Sequence, residues 1–307
     1  MDDELLYLNG SLMPLSEGRI GVEDRGFQLG DGVYEVIKVM NGRLVWLEDH
    51  LERLRHNLDT LRLVGVFERH SLERVLPDLV GRSGVTEGMV YVQVTRGTAT
   101  REYVFPDPPH PTVLAYTRSR GLPEVDEIMA GMVLHPLVDQ RWARSDIKST
   151  NLLAAVLAKE EAYEAGADEA LLLSPEGVVR EGGSSNIFAV LGGVLRTHPL
   201  DNRILGGITR KHVLEAALRM GCPAEERAFT LEEVIEAGAS VSAGGATEVF
   251  VASTLRDIQP VVRIGIHVVG GGGPGAVTLT LLDAIRREQA VSVGLPPPVA
   301  LASQGPR

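Results

Sequence analysis

Chemistry in this chain could start at Lys148. Only four of the 30 basic residues are lysines (Lys38, Lys148, Lys159 and Lys211) and 26 are arginines, so a lysine away from a charged helix face stands out. Lys148 lies in Ser145-Asp146-Ile147-Lys148-Ser149-Thr150-Asn151, directly before an apolar helical stretch. Taken alone, such a residue is more often a surface lysine beside a helix cap, since Ser149, Thr150 or Asn151 can accept the free N–H bonds of the next helix. The same amine becomes a carbonyl trap, forming a Schiff base, once burial or neighbouring charge depresses its reference pKa of about 10.4. Lys159 and Lys211 sit beside charged residues on helical stretches and are expected to be solvated. Lys38 falls in a strand whose orientation the sequence leaves open.

If Lys148 carried pyridoxal 5'-phosphate (PLP), the fold would also have to supply a cup for the phosphate, a carboxylate against the pyridine nitrogen and a group to hold the substrate carboxylate. For the phosphate, Leu205-Gly206-Gly207-Ile208-Thr209 opens a helix, where free N–H groups and the positive dipole end attract a dianion. Ser253-Thr254 is a second donor set, and Arg53 could add charge. The blander readings are a turn before a helix for the glycine pair and a solvated helix face for Arg53. Against the pyridine nitrogen, the candidate is Glu181 in Arg180-Glu181-Gly182-Gly183-Ser184-Ser185-Asn186. A carboxylate there keeps the nitrogen protonated and the ring a stronger electron sink. An exposed glutamate in a hairpin turn is the ordinary alternative.

The elements that must position these residues read as mixed. Leu6 to Val22 suggests short strands turning at Asn9-Gly10, and Tyr34–Met40 with Arg43–Trp46 suggests a hairpin through Asn41-Gly42. Leu47, Leu51, Leu54, Leu58 and Leu61 recur at helical spacing, so a helix over 49–63 buries one face. Further helices are expected over 72–80, 151–165, 209–220, 231–237 and 277–287. Strands are expected over 89–95, 113–116, 132–137, 186–190, 248–251 and 259–262, with a hairpin over 169–179. Hairpins first and scattered helices later suit an α+β protein better than alternating βαβ units. The expected division is an N-terminal domain over 1–120, a linker over 121–127 within the polar stretch Arg118 to Glu127, a C-terminal domain over 128–294 and a flexible tail over 295–307.

Composition narrows the classes. With 44% apolar and 23% charged residues, the 307-residue chain has the balance of a soluble globular protein. The acidic opening Met1-Asp2-Asp3-Glu4 and the lack of a long apolar run point to a cytoplasmic location. A net charge of −11 argues against nucleic acid and anionic membranes as partners. The lone Cys222 rules out an internal disulfide and a multi-cysteine zinc site, leaving a buried thiol as its expected role, and no metal is expected. Neither G-x-G-x-x-G after a strand nor G-x-x-x-x-G-K-[ST] occurs, which disfavours dehydrogenases and kinases.

Read together, the motifs resemble the class-IV PLP aminotransferases, which include D-amino-acid and branched-chain aminotransferases and aminodeoxychorismate lyase. The resemblance runs through most of the chain. It is carried by Glu23-Asp24-Arg25-Gly26-Phe27-Gln28-Leu29-Gly30-Asp31-Gly32-Val33-Tyr34-Glu35, Asp146-Ile147-Lys148-Ser149-Thr150-Asn151-Leu152-Leu153, Glu181-Gly182-Gly183-Ser184-Ser185-Asn186-Ile187-Phe188 and Gly207-Ile208-Thr209-Arg210.

The resemblance implies the fold-type-IV architecture: a small N-terminal α/β domain, a larger C-terminal pseudo-barrel domain, PLP between them, and a homodimer whose sites draw on both chains. It implies Lys148 as cofactor anchor and proton shuttle, and Glu181 as partner of the pyridine nitrogen. Arg53, Ser185, Ile208, Thr209, Ser253 and Thr254 would be cofactor-binding, and Tyr34 would face the substrate. Val33-Tyr34-Glu35-Val36-Ile37-Lys38-Val39 and Gln93-Val94-Thr95-Arg96-Gly97-Thr98 look most like the D-amino-acid branch. That branch typically traps the substrate carboxylate with Arg-x-His, and the corresponding residues here are Arg101-Glu102-Tyr103, making Arg101 and Tyr103 the substrate-binding candidates. The expected function is amino transfer between a small amino acid of D-alanine type and a 2-oxo acid. The alternatives are an L-branched-chain aminotransferase, aminodeoxychorismate lyase, or a PLP-binding protein without turnover.

Overall fold

A computed structural model describes residues 4–239 and 247–301. The chain forms two compact units. One comprises the residues up to Leu122 together with Ile147–Leu152 and Ser292–Leu295, and the other comprises Pro123–Asp146, Leu153–Val291 and the segment from Pro296 on. No described helix is long and apolar enough to cross a membrane.

The first unit runs β1 (Leu5–Leu8), β2 (Ser11–Pro14), α1 (Arg25–Leu29), β3 (Gly32–Met40), β4 (Arg43–Leu44), α2 (Leu47–Thr60), α3 (Val66–His70), α4 (Leu72–Ser83), β5 (Gly88–Thr95) and β6 (Thr112–Ser119). The strands form one sheet in the order β2-β1-β6-β5-β3-β4. Asn9-Gly10 and Asn41-Gly42 make its hairpin turns as expected, all four residues having positive φ. The return strand β4 stops at Leu44, because Trp46 takes a left-handed conformation and begins α2. One face of β3 and β5 (Val33, Ile37, Val39, Val90, Val92, Val94) packs on the α2 leucines Leu51, Leu54 and Leu58. Each such side chain contributes about 1.5–3 kcal/mol on burial.

The second unit runs α5 (Val125–Ala130), β7 (Met132–Val138), α6 (Leu153–Glu164), β8 (Glu169–Leu173), β9 (Val179–Gly182), β10 (Asn186–Leu191), β11 (Val194–Thr197), α7 (Ile208–Arg219), β12 (Ala224–Glu226), α8 (Leu231–Ala239), β13 (Glu248–Ser253), β14 (Asp257–Ile264), β15 (His267–Val268) and α9 (Ala276–Ser292). Its sheet has the order β12-β11-β10-β13-β14-β7-β8-β9, with β15 on β14. A further pairing of Glu181 in β9 with Asn186 in β10 closes β10-β13-β14-β7-β8-β9 into a six-stranded barrel. The molecule is therefore α+β, with an open sheet in one unit and a closed one in the other, as the fold-type-IV resemblance implies.

Several local expectations change. Residues 121–127 are not all linker: β6 extends to Ser119, and α5 begins at Val125 and buries Ile128. The tail is anchored as far as Leu301, which is buried and whose N–H donates to Asp283 (2.8 Å); residues 302–307 lie outside the described residues. Cys222 is half-buried, with its thiol 3.8 Å from the Pro223 carbonyl. Lys159 pairs with Glu169 (3.2 Å), and Lys38 is buried.

Candidate active site

In the first unit, the lysine segment is docked onto the start of β3. Ser149 bridges to Val33, Tyr34 N–H donates to the Lys148 carbonyl (3.0 Å), and Thr150 N–H donates to Gly32 (2.9 Å). Ser149 N–H donates back to the Ile147 carbonyl (2.7 Å), a tight turn centred on Lys148; Ile147 and Ser149 are buried and Lys148 between them is half-buried. Its Nζ lies 4.4 Å from the centroid of the Tyr34 ring, whose face attracts an ammonium. Ser149 and Thr150 are thus engaged with β3 instead of capping a helix, and α6 starts only at Leu153.

Tyr34 stacks on Tyr91 (5.5 Å), which stacks on Tyr116 (5.2 Å). Tyr91 donates to Gln93 (2.6 Å), and burial pushes its phenol pKa up. These neighbours were missed, although the alternation of β5 places Met89, Tyr91 and Gln93 on the Tyr34 side of the sheet.

Arg53 is not a solvated helix residue. Its Nε and Nη2 donate to the fully buried Glu35 (2.7 and 2.8 Å), and Glu35 also meets His50 Nδ1 (2.8 Å). Burial alone would raise the Glu35 pKa, but Arg53 and His50 outweigh it and hold the carboxyl at about 2. Burial, only partly offset by Glu35, lowers the His50 pKa. Glu35 and His50 were not singled out as partners of Arg53. A buried carboxylate this well satisfied fixes where Arg53 sits on α2. Arg101 and Tyr103 are exposed on the loop before β6.

In the second unit, three adjacent strands place the candidates in a row. Glu181 pairs with Asn186, and Asn186 pairs with Ala252, so Ser253 and Thr254 follow at the same end of the barrel. Glu181 is buried rather than exposed in a turn. It accepts from Arg141, from Asn186 Nδ2 (3.0 Å) and from Leu205 N–H (3.1 Å). Burial raises its pKa to about 7 against the opposing pull of Arg141. Asp139 steadies Arg141, and the pair was missed because Arg141 lies 40 residues before Glu181 in a loop without a motif.

Asn186 Nδ2 also donates to the Leu205 carbonyl (2.9 Å), which ties the Leu205–Thr209 turn to the barrel rim. Gly207 is required there, because a Cβ would run into Asn186 Oδ1. No side chain caps the start of α7. Ile208 and Thr209 are buried, and the Thr209 and Ser185 hydroxyls are buried without a hydrogen-bond partner.

Buried hydroxyls without a partner are uncommon and call for one, whether a ligand or an ordered water. Together with an uncapped helix start they suit a phosphate, and the buried Glu181 suits a pyridinium nitrogen. The residues present therefore fit PLP.

A half-buried lysine beside Tyr34 in one unit, and a barrel rim with a buried glutamate and partnerless hydroxyls in the other, are each features that a phosphorylated carbonyl cofactor would use. Residues 32–264 match the family described as Amino-transferase class IV. The chain is 39% identical to a D-alanine aminotransferase of Bacillus licheniformis over 92% of its length and 95% of that protein. In structure it resembles a branched-chain amino acid aminotransferase of Escherichia coli (TM-score 0.83, 22% identity, 92% of this chain and 93% of that one). It also resembles a T.th. branched-chain amino acid aminotransferase with pyridoxamine 5'-phosphate (TM-score 0.82, 26% identity, 97% and 96%). The chain belongs to the class-IV aminotransferases.

Proposed function

We infer that the protein is a PLP-dependent aminotransferase that moves the amino group of a small amino acid of D-alanine type to a 2-oxo acid. The observation that carries the substrate class is the 39% identity, over 92% of the chain, with a D-alanine aminotransferase. The branched-chain enzymes resemble this chain in fold at lower sequence identity.

Bound PLP supplies an electron sink that acidifies the Cα–H of an amino acid joined to it. Lys148 is the covalent anchor, and its Nζ is the base that takes up and returns the substrate proton. Tyr34, beneath that amine, restrains where it points. Glu181 accepts from the pyridine N–H, with Arg141, Asn186 and Leu205 fixing the carboxylate. The first N–H groups of α7 at Ile208 and Thr209, the hydroxyls of Thr209, Ser185, Ser253 and Thr254, and the Arg53 guanidinium hold phosphate. Arg101, with Tyr103, meets the substrate carboxylate through its forked donors. The enzyme works as a cytoplasmic homodimer, with neither nucleic acid nor membrane as a partner. The dimer is supported by the exposed apolar residues Leu153, Val156, Leu157 and Tyr163 on α6.

The test is turnover of the loaded enzyme with D-alanine, L-leucine or aminodeoxychorismate as donor, with 2-oxoglutarate as acceptor for the amino acids. Pyruvate from D-alanine, with L-leucine much slower, supports the reading. Preference for L-leucine makes the protein a branched-chain enzyme, pyruvate released from aminodeoxychorismate alone makes it a lyase, and no turnover leaves a binding protein.

A further inference from the structure

The first unit holds a buried cluster of two arginines and one carboxylate beneath a surface loop. Asp31, between α1 and β3, accepts from Nε of Arg25 (2.9 Å) and from Nε and Nη2 of Arg96 (2.8 and 3.1 Å). Both arginines are almost wholly buried, at 3% and 2% exposure. Each takes a further hold on the loop over residues 97–105. Arg25 Nη1 donates to the Glu102 carbonyl, and the Arg96 guanidinium lies 3.5 Å from the centroid of the Phe105 ring. The start of the loop is pinned too: Arg25 N–H donates to the Gly97 carbonyl (2.9 Å), and Thr98 bridges to Asp24. Gly97 has φ +84°, and a Cβ there would strike the His110 carbonyl, so the entry admits only glycine. Between these holds Arg101 and Tyr103 are exposed.

Burying three charged groups is costly, and well-packed apolar residues would give equal or greater stability. What planar guanidinium forks add is direction: each fixes a carboxylate and a second partner in one geometry. Here Arg25 holds the Glu102 carbonyl, next to Arg101, and Arg96, which also donates to the Leu61 carbonyl (2.8 Å), lies against Phe105, two residues after Tyr103. We propose that Arg25, Asp31 and Arg96 are positioning residues for substrate recognition, clamping the loop so that Arg101 and Tyr103 present a fixed arrangement to an α-carboxylate. The inference rests on the role given above to Arg101 and Tyr103, and it identifies what prepares them.

The experiment compares Phe105→Leu and Arg25→Met with the conservative Phe105→Tyr and with Arg101→Met. In the loaded enzyme, Phe105→Leu and Arg25→Met should raise KM for D-alanine about tenfold while kcat stays within about twofold, the pattern of lost binding contacts. Phe105→Tyr should keep the parent KM. Phe105→Leu added to Arg101→Met should cost little beyond Arg101→Met alone, as coupled residues do.

Amide hydrogen exchange over residues 98–105 gives a readout independent of turnover, and it should quicken in Phe105→Leu and Arg25→Met only. Unchanged KM overturns the proposal whether or not exchange quickens, and so does a fall in kcat at constant KM. Phe105 is 47% exposed, so its variant decides the matter if Arg25→Met does not fold. Loss of all visible cofactor absorption in the parent protein would instead defeat the PLP reading, and unchanged exchange in the variants would still defeat the clamp.

Discussion

At the scale of single residues, two buried glutamates, one in each unit, are displaced in opposite directions. Glu35, held at about 2 by Arg53 and His50 against its own burial, is a structural anion. Its folded pKa lies below the unfolded value, so the stability it contributes is present above about pH 4 and is lost as pH falls toward 2, about 3 kcal/mol in all. Glu181, raised to about 7 by burial, behaves in the opposite sense. Its contribution is full below about pH 4 and is lost as pH rises through 7, again about 3 kcal/mol. Arg141 offsets that burial only in part, so a further positive partner such as a pyridinium nitrogen would favour the charged carboxylate. Melting temperatures of the unliganded protein measured from pH 4.5 to 8 should therefore fall more steeply for the parent than for Glu181→Gln, and PLP should flatten the parent curve. Parallel curves for parent and variant would remove the case for a raised Glu181 pKa.

At the scale of elements, legibility followed how local the signal was. The α2 leucines, the Asn-Gly turns and the lysine and glutamate motifs were readable because each depends on neighbours within a few residues. The short strands β11 and β12 and the helices α1, α3 and α5 were not, being too short for a period to show. Nor could the sequence tell that Ser149 and Thr150 bond to the β3 segment instead of capping α6, since Gly32 and Val33 lie over a hundred residues away. The partners of charged residues were hidden for the same reason: Glu35 meets Arg53 across a strand and a helix, and Arg141, just after β7, reaches Glu181 on β9, two strands along the sheet.

The helix α6 offers a test of its own. Leu153, Val156 and Leu157 are more than half exposed on it, which suits contact with a second copy of the chain. The mass in solution should be twice that of the chain, and Leu157→Glu should shift it toward the monomer. A parent protein of monomer mass would contradict the dimer.

At the scale of the molecule, the α+β class was legible from hairpins early in the chain and helices later, and the family because four separated motifs agreed, though each alone has a commoner meaning. Two features of the architecture were not legible. The first unit takes back Ile147–Leu152 after the chain has entered the second, and the barrel closes through the single pair Glu181 and Asn186. Both follow from long-range pairing, and both bear directly on the candidate residues. The barrel closure sets Glu181 beside Asn186 and so beside the turn that starts α7, while the returning segment sets Lys148 over Tyr34.

Covalent attachment of PLP to Lys148 is the step on which every other role depends, and borohydride reduction of the PLP-loaded protein followed by peptide mass spectrometry tests it most directly. The expected result is visible absorption that D-alanine bleaches, and a reduced pyridoxyl adduct on the peptide containing Lys148 and on no other lysine. In Lys148→Ala both should be absent. An adduct on Lys38, Lys159 or Lys211, or unchanged absorption in Lys148→Ala, would contradict it.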